Sequence, residues 1–159
     1  MTLPGFPIEG GCRCDRLRFR LAAPPLMEVA CHCTGCRKMS ASAFSTTLMM
    51  PVDAFSVIAG EPVIGGLRDP RLRHHHCEWC KSWVFTRIPG MPFVNVRATM
   101  LDDASWFAPW METCVDEALP WARTGATERF AHFPDMADFD RLIARYRQHR
   151  GSGAAADPG

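Results

Sequence analysis

The sequence predicts a mostly β, single-domain protein of short strands with one C-terminal helix. Three observations carry that expectation. Short apolar or alternating stretches recur along the chain between breaks rich in Pro, Gly and Asp. Only the segment after Asp135 has the three-to-four-residue apolar spacing of a helix. The length of 159 residues suits one domain with a real core and leaves no room for a second full one.

Taken in order, residues 1–9 read as a lead-in interrupted by Pro4, Gly5 and Pro7. Residues 16–21 alternate, with Leu17, Phe19 and Leu21 on one face, as in a half-buried strand. A turn over 22–25 and a second strand over 26–33 predict an antiparallel hairpin. Further strands are expected over 43–50 and 55–58, with breaks at Pro51 and at Gly60-Glu61-Pro62. Residues 72–76, 83–88 and 93–98 read as extended, and 112–116 as one more short strand. Asp135 is the expected cap of the helix, whose apolar stripe is Met136, Phe139, Leu142, Ile143 and Tyr146. The domain is expected to run over 10–150, followed by a disordered tail over 151–159.

Composition limits the function classes. A net charge of +1 is too small for a wholesale nucleic-acid binder. No apolar run reaches membrane-spanning length, so no membrane partner is expected. The opening stretch lacks the basic and apolar regions of a secretory signal, and a cytoplasmic location is the expectation. Thiols stay reduced there, which argues against reading the eight cysteines as four disulfides.

Seven of those cysteines fall into three groups: Cys12 and Cys14, then Cys31, Cys33 and Cys36, then Cys77 and Cys80. On a strand, Met27, Val29, Cys31 and Cys33 share one face, and Glu28, Ala30 and His32 the other. Thr34-Gly35 can turn the chain so that Cys36 approaches the two strand thiols. Arg37 and Lys38 follow at once and favour thiolates. The pattern points to soft-metal binding, and zinc suits tetrahedral thiolate sites. An iron–sulfur cluster needs four thiolates, usually in a tighter run. Spacing alone leaves the partition open: Cys33 and Cys36 could also join Cys77 and Cys80 as in a zinc ribbon.

Gly10-Gly11-Cys12-Arg13-Cys14, the run from Cys31-His32-Cys33 through Cys36-Arg37-Lys38 to Phe44, and His76-Cys77-Glu78-Trp79-Cys80 together resemble the glutathione-dependent formaldehyde-activating enzyme family. That family is also described as S-(hydroxymethyl)glutathione synthase-like and includes centromere protein V. Ala118-Leu119-Pro120-Trp121 resembles its proline–tryptophan element, so the likeness runs from about residue 10 past 121. The resemblance implies a tent-like β fold with two zinc ions per chain. Cys12, Cys14, Cys77 and Cys80 would hold a structural zinc. Cys31, Cys33 and Cys36 would hold a second, more easily lost, with one position open for a thiol. It further implies a carbon–sulfur lyase joining glutathione, or a similar thiol, to a small aldehyde. Two departures from the family pattern are Ala41 and Lys81, each where glycine is usual.

The competing reading is a zinc-stabilised, non-catalytic module that binds a thiol, a protein or nucleic acid, with Arg68, Arg71, Arg73 and the three adjacent histidines as its support. Arg37 and Lys38 are the candidate contacts for the carboxylates of the thiol. His32 is expected to hydrogen-bond rather than ligate. Cys114 reads as a small buried hydrophobe, His74, His75 and His76 as basic strand residues at the surface rather than ligands, and Trp106, Trp110 and Trp121 as core.

Overall fold

A computed structural model describes residues 2–154, with side chains through 151. Eleven strands form two sheets among the described residues. In the smaller, β1 (Ile8–Gly11), β2 (Arg18–Leu21) and β5 (Phe55–Ala59) lie in that order and run antiparallel. The larger contains β3 (Met27–Cys31), β4 (Ser45–Pro51), β6 (Pro62–Gly65), β7 (Arg73–Cys77), β8 (Trp83–Arg87), β9 (Phe93–Val96), β10 (Met111–Thr113) and β11 (Glu128–Arg129). Its spatial order is β11-β10-β3-β4-β9-β8-β7-β6. Two helices complete the fold, α1 (Thr34–Ser40) and α2 (Phe139–Ala154).

The expected class is the observed one, with a second helix, α1, and two strands, β6 and β11, beyond the expected elements, and with three further differences. β2 pairs with β1 and β5, and β3 with β4 and β10, so the hairpin expected between residues 16–21 and 26–33 does not form. The chain crosses between sheets at the Ala22–Pro25 turn instead. Second, the large sheet is mixed: β10 runs parallel to both β3 and β11. Third, β1 begins inside the expected lead-in, and α2 continues to Ala154. The expected tail therefore opens within a helix, and its residues 155–159 lie outside the described ones.

Period-two alternation assigns the two faces of the large sheet to different cores. Leu48, Met50, Val94, Val96 and Phe85 face the small sheet and pack with Phe19, Leu21 and Phe55. Met27, Val29, Met49, Phe93 and Met111 face the other way, towards Phe139, Leu142 and Tyr146 of α2. Met136 of the expected helical stripe instead sits in a short 3-10 turn, largely exposed. Between sheets the approach is close at Gly10. A Cβ there would lie 2.3 Å from the Met100 carbonyl oxygen, which explains why this motif position carries glycine.

Charged groups are buried under the large sheet. Glu112 is 1% exposed; its Oε1 accepts from Thr124 N and Oγ1 and meets His32 Nε2 at 3.1 Å, and its Oε2 accepts from Arg129 Nε at 2.8 Å. His32 thus holds β3 to β10 from the face opposite Cys31, in the hydrogen-bonding role expected of it. Glu28, on the same strand, is fully buried and receives Arg150 from the end of α2.

Candidate metal centre

The first cysteine group sits where the two sheets meet. Cys12 and Cys14 occupy the turn from β1 to β2, and Cys77 and Cys80 the turn from β7 to β8. All four sulfurs lie within 4.8 Å of one another. Cys12 Sγ to Cys14 Sγ is 3.5 Å and Cys14 Sγ to Cys77 Sγ is 3.8 Å. Sulfurs held tetrahedrally at about 2.3 Å from one zinc ion would lie about 3.8 Å apart, so the donor set fits that ion. The turns aim backbone donors at sulfur: Leu17 N–H reaches Cys12 Sγ at 3.3 Å.

The second group forms at the end of β3. Cys31 is the last residue of the strand, and Cys33 caps α1 by accepting Cys36 N–H on its sulfur at 3.3 Å. The turn expected at Thr34-Gly35 is thus the first turn of a helix, fastened by Thr34 N–H and Oγ1–H to Glu117 Oε2 at 2.7 Å each. The sulfurs of Cys31, Cys33 and Cys36 lie within 4.8 Å of one another, and among the described residues no fourth Cys, His, Asp or Glu joins the group. Neither group mixes Cys33 and Cys36 with Cys77 and Cys80, which is not the ribbon arrangement. All eight cysteines are free thiols.

The three thiols share protons in a way that suits a cation. Hydrogen bonds from Cys33 and Cys36 hold the Cys31 thiol down to about 2, and the same sharing with Cys31 and Cys33 pushes Cys36 strongly up. A bound divalent ion would displace the protons that the cluster holds. The hydroxyls of Thr113 and Ser45 lie beside Cys31 and Cys36 and favour their charged forms. Donors of this kind orient thiolate ligands from outside the first layer.

The cluster opens on a cavity of about 230 Å³ that the larger sheet walls on one side. Arg37 and Lys38 line a different, open groove with Thr34 and the exposed Trp121, not this cavity. Arg37 Nη2 donates to Thr34 Oγ1 at 3.1 Å. Trp106 and Trp110 are buried in the core, but Trp121 is not. Of the three histidines expected at the surface, His74 and His75 are half-buried and His76 is buried. His74 lines the cavity with Nδ1 2.9 Å from Thr86 Oγ1, and His75 stacks on Phe85 at 4.4 Å. Burial lowers both, His75 to about 4, so they stay neutral near pH 7.

Two cavity residues escape a reading of the sequence. Cys114 lies in the wall with φ +57°; burial, then the charge of Cys31 and Cys33, pushes its thiol up to about 12. Arg97, 6% exposed, lies over the Trp83 ring at 4.1 Å and lines the same cavity. An arginine just after the strand Phe93–Val96 carries no local signal of burial.

Both departures at usual glycine positions fall in the left-handed region. Ala41 ends α1 at φ +49°, and Lys81 follows Cys80 at φ +58°. A side chain there costs about 1–2 kcal/mol, part of which glycine returns through its freer unfolded chain. Ala41→Gly and Lys81→Gly should therefore each raise the melting temperature by about 2 °C, scaled for this chain length. Calorimetry on the single variants checks this, and an unchanged or lower midpoint refutes the strain.

Comparison with known proteins now bears on this arrangement. A relative from Penicillium rubens is 30% identical over 115 residues, covering 68% of this chain and 59% of its own. One from Talaromyces marneffei is 30% identical over 118 residues, covering 67% and 61%. Both are named, provisionally, as glutathione-dependent formaldehyde-activating enzymes, and the match spans about three-fifths of their length. A crystal structure of a Rhodobacter sphaeroides protein is similar at 17% identity and TM-score 0.47, over 60% of this chain and 88% of that one. The model of the family described as glutathione-dependent formaldehyde-activating enzyme matches residues 7–117. By that match, which takes in all seven grouped cysteines, the chain belongs to the glutathione-dependent formaldehyde-activating enzyme family.

Proposed function

We propose that this protein catalyses the reversible addition of a thiol, glutathione or one like it, to a small aldehyde, a carbon–sulfur lyase-type reaction. Zinc is the proposed metal at both centres, structural at Cys12, Cys14, Cys77 and Cys80, and functional at Cys31, Cys33 and Cys36. The observation that carries the reading is the three-sulfur cluster, without a fourth donor in its group, at the wall of an internal cavity. Zinc held by three thiolates would supply a position for an incoming thiol and keep it deprotonated.

The chain's own residues do the rest. β3 and α1 converge to set the three sulfurs, and the Cys36 N–H to Cys33 Sγ bond fixes the turn between them. Thr113 and Ser45 hydroxyls lie near Cys31 and Cys36 and favour their charged forms. The cavity lining contains no Asp or Glu, in keeping with a reaction that needs no carboxylate base. Its walls hold thiol and aldehyde together and keep bulk water away. No apolar helix long enough to cross a membrane occurs among the described residues.

The test is exchange kinetics by NMR at equilibrium in glutathione and formaldehyde, because the uncatalysed addition masks net turnover. The exchange rate should rise with the wild-type protein and return to background with Cys33→Ser. A wild-type rate equal to background, with glutathione still bound, would make the protein a thiol-binding module.

A further inference from the structure

The cavity beside the second cysteine group is graded in polarity from one end to the other. Strand register places its lining in rows on one face of the larger sheet. Cys31 and Ser45 pair at the cysteine end, with Thr113 opposite Cys31 on β10 behind them. Two residues further along β3, Met111, Val29 and Thr47 form the next row. Beyond it Met27 pairs with Met49 and Met49 with Asn95. Phe93 and Phe139 complete the lining at that apolar end. Methionine is flexible and polarisable, so this end adapts to an apolar chain.

Arg97 is the only Asp, Glu, Lys or Arg side chain among the lining residues. It is 94% buried, its Nε has no hydrogen-bond partner, and among the described residues it forms no ion pair. Its guanidinium lies over the face of Trp83 at 4.1 Å. Burying a guanidinium without an ion pair is costly: burial lowers its pKa to about 10, and the charge of Cys36 and Cys31 opposes that fall only in part. A buried cation with unused donors, in a cavity shared with a reactive cluster, is built to receive an anionic oxygen. The cavity of about 230 Å³ is large enough for a small organic molecule beside the cluster.

We propose that this cavity takes an apolar carbonyl compound, such as a medium-chain or aryl aldehyde, with its tail between Met27, Met49 and Phe139 and its oxygen at Arg97. The inference rests on the thiol-addition reading and names the substrate class for that site. In the reaction the thiolate sulfur bonds to the carbonyl carbon and the π pair moves to oxygen. Arg97 stabilises that oxyanion, which then takes from water the proton that the thiol gave up.

Binding measured without turnover tests this. The zinc-loaded protein is titrated calorimetrically with acetate, hexanoate and 1-hexanol, the carboxylates standing for the oxyanion. Hexanoate should bind at least tenfold tighter than acetate, since each buried methylene gives about fourfold. Arg97→Met, which removes an unpaired buried charge and should fold well, is expected to weaken hexanoate at least tenfold and leave 1-hexanol within twofold. Spectra of ¹³C-methyl methionine protein should show hexanoate shifting Met27 and Met49, two of nine methionines. Equal affinity for acetate and hexanoate, an unaffected Arg97→Met, or shifts confined to methionines outside the cavity would each overturn the proposal. Chain-length-dependent binding with only background thiol exchange would leave this assignment standing and remove the reaction. Catalysed exchange without chain-length dependence would remove this assignment alone.

Discussion

Cys77→Ala should yield little or no folded protein, whereas Cys31→Ala should fold and lack only the second metal. The difference lies in what each group joins. Cys12 and Cys14 belong to the smaller sheet and Cys77 and Cys80 to the larger, so an ion among them ties two sheets across 63 residues of chain. Cys31, Cys33 and Cys36 belong to one short segment, and their ion closes only a local turn. Structural zinc in small domains contributes about 10–16 kcal/mol of apparent binding energy, while whole domains are stable by only about 5–15 kcal/mol. Losing the first site therefore consumes most or all of the margin. Removing Cys77 also leaves three thiols in the buried junction without the ion that organises them. The measurement is zinc per chain alongside far-ultraviolet circular dichroism and a thermal melt. A folded Cys77→Ala beside a collapsed Cys31→Ala would reverse the assignment of the two sites.

The contrast also shows how much the sequence discloses. The strand carrying Cys31 was legible because Met27, Val29 and Cys31 alternate with Glu28, Ala30 and His32, and those sets occupy opposite faces. The final helix was legible from its apolar spacing; Asp135 precedes a 3-10 entry turn rather than α2, and its side chain makes no capping hydrogen bond. Strand pairing was not. The hairpin expected between β2 and β3 rested on a short intervening turn, but the Phe19 and Leu21 face is buried better against β5 and the core between sheets. Nothing local announces that Thr113 lies opposite Cys31 in a parallel pair, because a parallel partner comes from far along the chain. For the same reason Arg97 and Cys114 were invisible as cavity residues: their neighbours are set by register. α1 went unread because Thr-Gly looks like a turn, and only the sulfur cap of Cys33 makes it a helix start.

Arg150→Met should destabilise the protein by about 3–5 kcal/mol at pH 8, and by much less at pH 5. Glu28 lies on β3 with no exposed surface, and its Oε2 receives Arg150 Nη2 from the end of α2; its Oε1 has no partner among the described residues. Burial raises the Glu28 carboxyl from its ordinary 4.5 to about 7, although Arg150 and Tyr146 oppose the rise. A carboxyl whose folded pKa lies above its unfolded one binds its proton more tightly when folded. Its contribution to stability is full below about 4.5 and is lost as pH rises through about 7. In the wild type, Arg150 bounds that loss by stabilising the ionised form. Without it the folded pKa climbs further, so the loss continues to higher pH and the variant falls behind most in alkaline solution. At pH 5 Glu28 is already protonated in both proteins, and what is missing is the packing on Tyr146 and the hydrogen bonds that Arg150 donates to the Tyr146 hydroxyl and to the neutral carboxyl. Denaturant unfolding from pH 5 to 8 measures the two curves, and Glu28→Gln in the Arg150→Met background should flatten the divergence. A penalty equal at both pH values would mean that Arg150 acts through packing alone and that Glu28 carries no buried charge.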